Sequence, residues 1–427
     1  MAWQGRGAAI LVVVAMVSGM VLMNPALVQG QAGIPSTPTP KAVEGPGTNI
    51  IPSITLSERY DSNVYFISGG PFEDYVTRVS PQVRVVHMRQ LIEATVGGGV
   101  TSELYVKNPG LNYVGANGAI NLNLNGAMNR LVRGLGLQIA DIFQYTPQPP
   151  AFIGTTQGDE LPESVVIGVQ ARRANSSTNA GTVAASYSVS PRLSFNSTYK
   201  DLRRQFGNAT PVPPTGEIQQ TSLIDITFQT VTSGLALNVS PIHTVTLSHQ
   251  YQHGTFSQQG LTNDFSTQGA IAGWTSPFTP TLTASMTGGF AIFSNTNDLQ
   301  YVGSASLLWK GQDTDLTLSY RRMIAPSFFV AATPLLSQVV TATATHHVTE
   351  SFSVSLNGNY ANNESIPDSS LLMFQSYSVM PSVQYRVNRV MTTTLSYAFF
   401  TMDRTTSSQE ASFDRNVVML RIFAEWQ

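Results

Sequence analysis

Histidine is the side chain most able to bind a metal or act as a general base here, and the chain has six. His346 and His347 are adjacent, so on a strand their side chains would point to opposite faces and could not ligate one metal. His249 and His253 stand four residues apart, a ligand spacing on a helix, but on a strand that spacing is about 13 Å. Neither pair predicts a metal site on a strand.

Serine and asparagine are so abundant that spacing alone does not identify a hydrolase site. Some combination of Ser, His and an acid can always be assembled from such a sequence, and no spacing distinguishes one. Gly97, Gly98 and Gly99 lie in a strand pattern with no following helix, so they do not form a phosphate-binding loop. The chain has no cysteine, which excludes disulfides and thiolate metal sites. We predict that the protein is not an enzyme and has no cofactor.

Arginine is the charged side chain whose placement carries chemical information. The chain has 23 basic residues, and the only lysines among them are Lys41, Lys107, Lys200 and Lys310. Guanidinium groups bind carboxylates and phosphates with good geometry. Six charged residues fall opposite the apolar positions of their segments and are the candidate pore-lining residues: Arg78, Arg84, Arg321, Arg421, Asp315 and Glu425. The arginines either contact a passing solute or pair with the acids, and both interpretations stay open.

The segments that carry these residues alternate between apolar and polar positions. In 351–360, Phe352, Val354 and Leu356 share one face, while serine and asparagine occupy the other. The segment 281–290 repeats the pattern. Such alternation predicts β-strands. At about nine residues or more they exceed the five or six of soluble sheets, and this length crosses a bilayer at the tilt of a barrel strand.

Short turns and long polar connectors alternate between the predicted strands. Eight turns are predicted near His87–Gln90, Met128–Arg133, Ser190–Arg192, Ser240–His243, Ser276–Pro280, Gly311–Thr314, His346–Glu350 and Arg386–Val390. Nine connectors are predicted at Asp61–Asp74, Lys107–Gly115, Thr146–Asn179, Arg204–Thr221, Gly254–Ser266, Ser294–Leu299, Ile324–Gln338, Ala361–Met373 and Asp403–Asp414. This alternation is typical of periplasmic turns and extracellular loops. We predict an all-β, transmembrane, antiparallel up-and-down β-barrel of about 18 strands, with 16 as the alternative.

Composition and the N-terminal residues indicate an exported protein. Charged residues make up only 11% of the chain, against about 25% in soluble domains. Arg6 precedes an apolar run that ends before Pro25, which is typical of a secretory signal. We predict a signal peptide over 1–30, a flexible periplasmic leader over 31–50 and the barrel over 51–427. The net charge of −2 gives no basis for binding nucleic acid.

The last predicted strand ends on an aromatic residue. Its apolar face carries Val418, Leu420, Ile422, Ala424 and Trp426. This resembles the C-terminal aromatic strand by which bacterial barrels are delivered to the barrel assembly machinery, although the final residue here is Gln427. The expected partners are therefore outer-membrane lipid and that machinery.

Two pairs of segments resemble a known family. They are 53–66 (SITLSERYDSNVYF) with 74–84 (DYVTRVSPQVR), and 168–175 (GVQARRAN) with 187–192 (YSVSPR). The family is that of outer-membrane β-barrel porins associated with exopolysaccharide export systems. The resemblance covers the chain from about residue 50 onward. It implies an outer-membrane pore through which a secreted polysaccharide or small solutes pass.

Three functions remain open at this stage. The first is a transport pore, because barrels of about 16 to 18 strands enclose an aqueous channel, and Thr146–Asn179, the longest connector, is expected to fold inward or cap its mouth. The second is a non-transporting surface barrel with a blocked lumen, whose loops bind a partner through aromatic residues such as Phe152, Phe328 and Phe329. The third is an outer-membrane hydrolase. In each case the expected location is the bacterial outer membrane, with the N-terminus in the periplasm.

Overall fold

Eighteen β-strands and one short helix form the part of the chain that the computed structural model describes. The described residues are 47–67, 71–146, 174–209, 223–258, 261–294, 296–327, 332–369, 371–406 and 410–426. The predicted signal peptide lies outside them, as do residues 31–46 of the predicted leader. Within the described residues no helix is long and apolar enough to cross a bilayer.

The strands are β1 (Gly47–Asp61), β2 (Asp74–Met88), β3 (Glu93–Tyr105), β4 (Tyr113–Asn123), β5 (Leu135–Thr146), β6 (Ala174–Ser188), β7 (Leu193–Ala209), β8 (Asp225–Asn238), β9 (Thr244–Gln258), β10 (Leu261–Pro277), β11 (Leu282–Phe293), β12 (Leu299–Lys310), β13 (Thr314–Pro326), β14 (Pro334–His347), β15 (Phe352–Ser365), β16 (Leu372–Arg386), β17 (Met391–Thr406) and β18 (Glu410–Glu425). Helix α1 (Asn125–Leu131) connects β4 to β5, and a 3₁₀ turn (Pro109–Leu111) connects β3 to β4. β1 begins at Gly47, inside the stretch that the sequence assigns to a leader.

Antiparallel pairing between successive strands continues around the whole sheet. β1 pairs with β2 on one side and with β18 on the other, so the sheet closes on itself and has no free edge. Closure satisfies the backbone hydrogen bonds of every strand, which a membrane interior requires because it offers no water. The predicted up-and-down barrel of 18 strands is confirmed, and the alternative of 16 is wrong.

Connections of two kinds separate the barrel into a turn end and a loop end. The turn end holds residues 89–92, 124–134, 189–192, 239–243, 278–281, 311–313, 348–351 and 387–390, together with the start of β1 and the end of β18. The loop end holds the described connecting residues 62–67, 71–73, 106–112, 223–224, 294, 296–298, 327, 332–333, 366–369 and 371. The predicted alternation of connections therefore holds in outline.

Two of the predicted long connectors are instead strand. Gly254–Ser266 contains the ends of β9 and β10, which only residues 259–260 separate, and Asp403–Asp414 likewise contains the ends of β17 and β18. Polar residues led to both errors. Strands that extend past the lipid carry polar side chains on both faces, so a polar stretch need not end the strand.

Five turns at the turn end share one hydrogen-bonding pattern. In each, a side-chain oxygen accepts the backbone N–H groups of the residues two and three positions later. The residues that supply this oxygen are Ser190, Ser240, Thr279, Thr349 and Asn388. Short polar side chains satisfy the turn backbone in this way without glycine.

The two faces of the sheet follow from the period-two alternation of each strand. Outward positions carry exposed apolar side chains, such as Leu56 at 42%, Val83 at 49% and Leu420 at 46% exposure. Inward positions on the same strands carry polar residues. Ser57, for example, is register partner of Arg78 on β2 and of Arg421 on β18. The register thus decides which charged residues line the lumen.

Candidate functional site, the barrel lumen

The register places all six sequence-predicted charged residues on the inner face. Arg78 and Arg421 lie on either side of Ser57, on β2 and β18. Arg84 and Glu425 lie nearer the turn end, where the Arg84 Nη2 and Glu425 Oε2 atoms are 2.9 Å apart in an ion pair. Four of the six are therefore brought together across β18, β1 and β2.

The other two predicted residues lie on a different part of the wall. Arg321 and Asp315 share the inward face of β13, where Asp315 is the register partner of Lys310 on β12. β13 is five strands from β18, which is about 24 Å along the wall at the usual strand spacing. The six predicted residues therefore lie in two separate regions of the inner face, and the region around β1 holds four of them.

A buried ion-pair network near β1 extends the first region toward the loop end. The Arg415 guanidinium donates to both carboxylate oxygens of Asp61, at 2.9 and 2.5 Å. Arg59 Nη2 donates to Glu103 Oε2 at 3.2 Å, and its Nε lies 3.8 Å from Asp61 Oδ2. Asp61 is 1% exposed and Glu103 is fully buried, so these charges are held largely away from water.

Sequence reasoning missed this network although one signal was present. Residues an even number of positions apart on a strand share a face. Arg59 shares its face with Ser57 in this way and Arg415 shares its face with Arg421, so alternation alone places both arginines inward. We call the five arginines of this region the arginine wall: Arg59, Arg78, Arg84, Arg415 and Arg421. The Arg415–Asp61 and Arg84–Glu425 pairs could not be predicted from the sequence, because their partners come from strands at opposite ends of the chain.

A small cavity lies within the arginine wall. Its volume is about 20 Å³, and Arg59, Arg78 and Arg415 line it together with Ser57 and Met419. A space of that size holds a single water molecule. The guanidinium groups around it are therefore closely packed against the barrel wall near the loop end.

The first loop, of which residues 62–67 and 71–73 are described and are called L1, folds into the lumen over the arginine wall. Asn63 is 1% exposed, and its side-chain amide donates to the carbonyls of Ile67 and Asp414 while its Oδ1 accepts from the Ile67 N–H. Val64 and Tyr65 are buried against Val76, Tyr105 and Leu111. L1 is thus fixed inside the barrel by its own hydrogen bonds and by apolar packing.

Phe66 is the residue of L1 that contacts the arginine wall directly. Its φ is 58°, a left-handed conformation that is uncommon for a residue with a β-carbon. The Arg415 guanidinium lies 4.4 Å from the centroid of the Phe66 ring, and that ring packs edge-on against Phe413 at 6.0 Å. The loop therefore covers one cation of the wall with an aromatic face.

An exposed contact joins L1 to the second loop. Glu73 pairs with Lys107, and Tyr60 donates a hydrogen bond to Glu73 at 2.8 Å. These hydrogen bonds, the one from Lys107 first, lower the pKa of the Glu73 carboxyl below its ordinary value, and the same contact raises the pKa of Lys107. The pair is solvent-exposed and so contributes little to stability.

A collar of phenylalanines occupies the inner face near the loop end. Its members are Phe228, Phe256, Phe265, Phe293, Phe374, Phe400 and Phe413, all less than 9% exposed. Phe265 is central, with ring centroids 5.6 Å from Phe256, 5.9 Å from Phe293 and 6.1 Å from Phe228. Gly254 faces Phe265 across the β9–β10 pair, and a β-carbon there would collide with the ring. We call this set the phenylalanine collar.

The lumen therefore has two sections of different chemistry. Toward the turn end, Ser, Thr, Asn and Gln line it, as in the hydroxyl pairs Ser285–Ser306 and Ser355–Ser382. Toward the loop end, five collar residues form an apolar cluster with the buried loop residues Ile224 and Ile366, and Phe400 and Phe413 belong to a second apolar cluster. The outer section is apolar because the loop residues that fold inward need apolar wall residues to pack against.

The connector that we expect to fold inward, Thr146–Asn179, lies largely outside the described residues. Thr146 ends β5 and Asn179 lies within β6, with residues 147–173 between the described parts. Its inward folding stays a prediction. The candidates Phe152, Phe328 and Phe329 also lie outside the described residues.

The histidines take the positions that a strand requires. His249 and His253 both lie on the outward face of β9, while His346 and His347 of β14 lie on opposite faces. In the part of the chain that the structure describes, no group of three or more His, Cys, Asp or Glu side chains could hold a metal ion.

Comparison with known proteins gives a family match for the last strands. Residues 294–425 match the family described as "Putative beta-barrel porin 2". This covers 132 of 427 residues, under a third of the chain (425 − 294 + 1 = 132). No curated protein sequence matches the chain.

Several solved structures match the chain with low sequence identity. OccK2 (OpdF) of Pseudomonas aeruginosa is 9% identical over 88% of this chain and 98% of that one, with a TM-score of 0.46. OccAB3 of Acinetobacter baumannii is 10% identical over 88% and 100%, with a TM-score of 0.42. The siderophore receptor PirA of P. aeruginosa is 8% identical over 90% and 81%, with a TM-score of 0.44.

Proposed function

We propose that this barrel is a pore of the bacterial outer membrane. The observation that carries the proposal is closure of eighteen strands around a lumen whose inner face is polar over the turn-end section. Barrels of about 16 to 18 strands enclose an aqueous channel, whereas those of about eight fill with side chains. The family match over β12 to β18 supports the same function.

The outer surface supports placement in a lipid bilayer. Outward aromatic residues lie toward the turn end at Tyr187, Phe195, Trp309, Tyr385 and Trp426, and toward the loop end at Tyr199, Tyr251, Phe290, Tyr360 and Tyr397. Exposed apolar side chains fill the band between them, as Leu247 does at 61% exposure. Aromatic girdles on both sides of an apolar band are typical of outer-membrane barrels. In that arrangement the short turns and the start of β1 face the periplasm.

The arginine wall supports an anionic or sugar-like solute. Five guanidinium groups lie on three neighbouring strands, and the inward acids of these strands and β3 are Asp61, Asp74, Glu93, Glu103 and Glu425. Guanidinium groups bind carboxylates and phosphates well. We propose a polysaccharide carrying carboxylates as the solute in export, with small anionic solutes as the alternative.

Ion selectivity in planar bilayers tests the role of the wall. The variant Arg78→Gln/Arg421→Gln removes two lumen charges, and Arg203→Gln/Arg322→Gln removes two outward charges as a matched control. Each lumen charge contributes about 1 kcal/mol for an ion about 4 Å away, so we expect the anion-to-cation permeability ratio to fall at least about fivefold in the first variant. The control should keep the native ratio. Equal ratios in all three proteins would overturn the assigned selectivity.

A non-transporting surface barrel is the second candidate, and a specific observation favours it. L1 and the phenylalanine collar occupy the loop end of the lumen, which is where such a barrel would be blocked. Conductance separates the two functions. If neither the native protein nor a variant with L1 released carries ionic current, the pore is excluded and the surface barrel stands.

A further inference from the structure

One connection at the turn end contains a helix that is not needed to reverse the chain direction. Five turns there close with a single Ser, Thr or Asn, but β4 and β5 are joined by helix α1. The sequence predicts only a short turn at Met128–Arg133, whereas the helix begins at Asn125. A longer connection at this one position indicates that α1 has a role besides reversing the chain.

Helix α1 and the β2–β3 turn form one rigid unit. The Ala127 N–H donates to the Leu91 carbonyl at 3.0 Å. Gly126 lies so close to the backbone of Gln90 and Leu91 that a β-carbon would collide with it. Within the turn, Arg89 and Ile92 exchange backbone hydrogen bonds at 3.0 and 3.2 Å. The surface of this unit is therefore fixed in advance of any partner.

This surface combines exposed apolar and cationic side chains. Leu131 is 75% exposed, Val132 48%, Ile92 41% and Leu91 39%. Three exposed arginines accompany them: Arg89, Arg130 and Arg133. We call these seven residues the turn-end patch.

The patch has an uncompensated positive charge. Among the described residues no acid forms an ion pair with its three arginines. The neighbouring acid Glu93 instead accepts a hydrogen bond from Asn123 Nδ2 at 2.9 Å. A surface that exposes apolar side chains beside unpaired cations is complementary to a layer with anionic headgroups above hydrocarbon.

The position of the patch connects it to the lipid-facing band. At five other turns of this end the outward stripe of a strand continues past the strand end as an exposed apolar residue: Val189, Val239, Phe278, Val348 and Val387. The apolar band thus reaches the turn end, and Ile92 of the patch continues the outward stripe of β3. We propose that the turn-end patch binds anionic phospholipid headgroups of the periplasmic leaflet. This rests on the proposed function, because it requires the short turns to face that leaflet.

Lipid retention by the full-length barrel in detergent tests the proposal. Phosphatidylglycerol is the anionic probe and phosphatidylcholine the zwitterionic one, and native mass spectrometry reports the lipids bound to each protein. We compare Arg89→Gln/Arg130→Gln with Arg192→Gln/Arg389→Gln, which removes two exposed arginines from helix-free turns at the same end. Each arginine near a lipid headgroup contributes about fivefold in affinity, so the first variant should bind phosphatidylglycerol about 25-fold more weakly.

The control variant should bind phosphatidylglycerol as the native protein does. Two results would overturn the proposal: equal retention of both lipids by the native protein, or equal weakening in both variants. If the native protein retained both lipids equally, the patch would instead be a docking surface for an acidic periplasmic protein. Since this assay needs no ionic current, its failure is distinguishable from failure of the pore, which conductance reports.

Discussion

Asp61 is the residue that joins most parts of the lumen network. Its carboxylate accepts two hydrogen bonds from Arg415 on β18 and one from the Asn63 N–H of L1 at 3.2 Å. Arg59 on its own strand lies within ion-pair distance. One carboxylate thus connects the first strand, the last strand and the inward loop.

Neutralising Asp61 should destabilise the barrel strongly. Asp61→Asn leaves the buried Arg415 without its counter-charge, so we expect a loss of about 3 to 5 kcal/mol in the free energy of unfolding in urea. The matched control is Asp201→Asn on the outer face, whose partner Arg203 is 62% exposed, and it should cost less than about 1 kcal/mol. Equal losses in the two variants would show that burial of the Asp61 pair does not matter.

The face of the sheet on which a single side chain lies could be predicted from alternation, and its ion-pair partner could not. Alternation alone assigned Arg78 and Arg421 to the inner face, where the register places them. It gave no means of pairing Arg84 with Glu425, since these residues are 341 positions apart. Pairing depends on which strands meet when the barrel closes, and that is a property of the whole sheet.

At the scale of elements, L1 is the segment most able to control access to the lumen. It is held by the three hydrogen bonds of the Asn63 side chain, by the contact of Phe66 with Arg415 and by the apolar packing of Val64 and Tyr65. These contacts are local to the loop and its immediate wall. L1 can therefore leave the lumen without separating any strand pair.

Releasing L1 should increase conductance. Asn63→Ala removes the amide that fixes the loop, so we expect a larger single-channel conductance in planar bilayers with the unfolding free energy changed by only about 1 to 3 kcal/mol. Asn112→Ala is the control, because its Oδ1 accepts the Tyr105 N–H in the second loop and not in L1. A conductance that rises equally in both variants would argue against a specific role for L1.

Strand positions were predictable from alternation, and strand ends were not. The alternation of apolar and polar residues persists only where one face of the strand is apolar. That is the part of each strand in contact with lipid. Beyond the lipid both faces carry polar residues, as at Asn263 and Asp264 of β10, and the sequence there resembles a loop. For the same reason the sequence predicts connectors at the ends of the β9–β10 and β17–β18 hairpins.

At the scale of the molecule, the lumen is asymmetric along its axis. The turn end opens on a polar section, and the loop end contains L1 and the phenylalanine collar. Sequence alternation predicted 18 strands and hence a wide lumen. It did not predict this asymmetry along the axis. Alternation shows which side chains point into the lumen, but it does not show which loops fold over them.

Neutral sugars should distinguish the two ends. In a bilayer with oriented barrels, sugars of increasing size added on the turn side enter the polar section and lower the conductance. The same sugars added on the loop side should be excluded at a smaller size, because the collar and L1 narrow that mouth. Identical cut-off sizes from both sides would contradict a constriction confined to the loop end.

The joint between β1 and β18 has a consequence for the order of assembly. It has nine register pairs, while β17 and β18 share fifteen, so fewer backbone bonds hold it than hold the β17–β18 hairpin. Asp61 and Arg415, which cross it, are 354 residues apart in sequence. Loop-closure entropy opposes contacts of such high sequence separation until the intervening chain is ordered. We therefore expect this joint to form last. The Asp61 and Arg415 side chains are then desolvated only when the barrel closes.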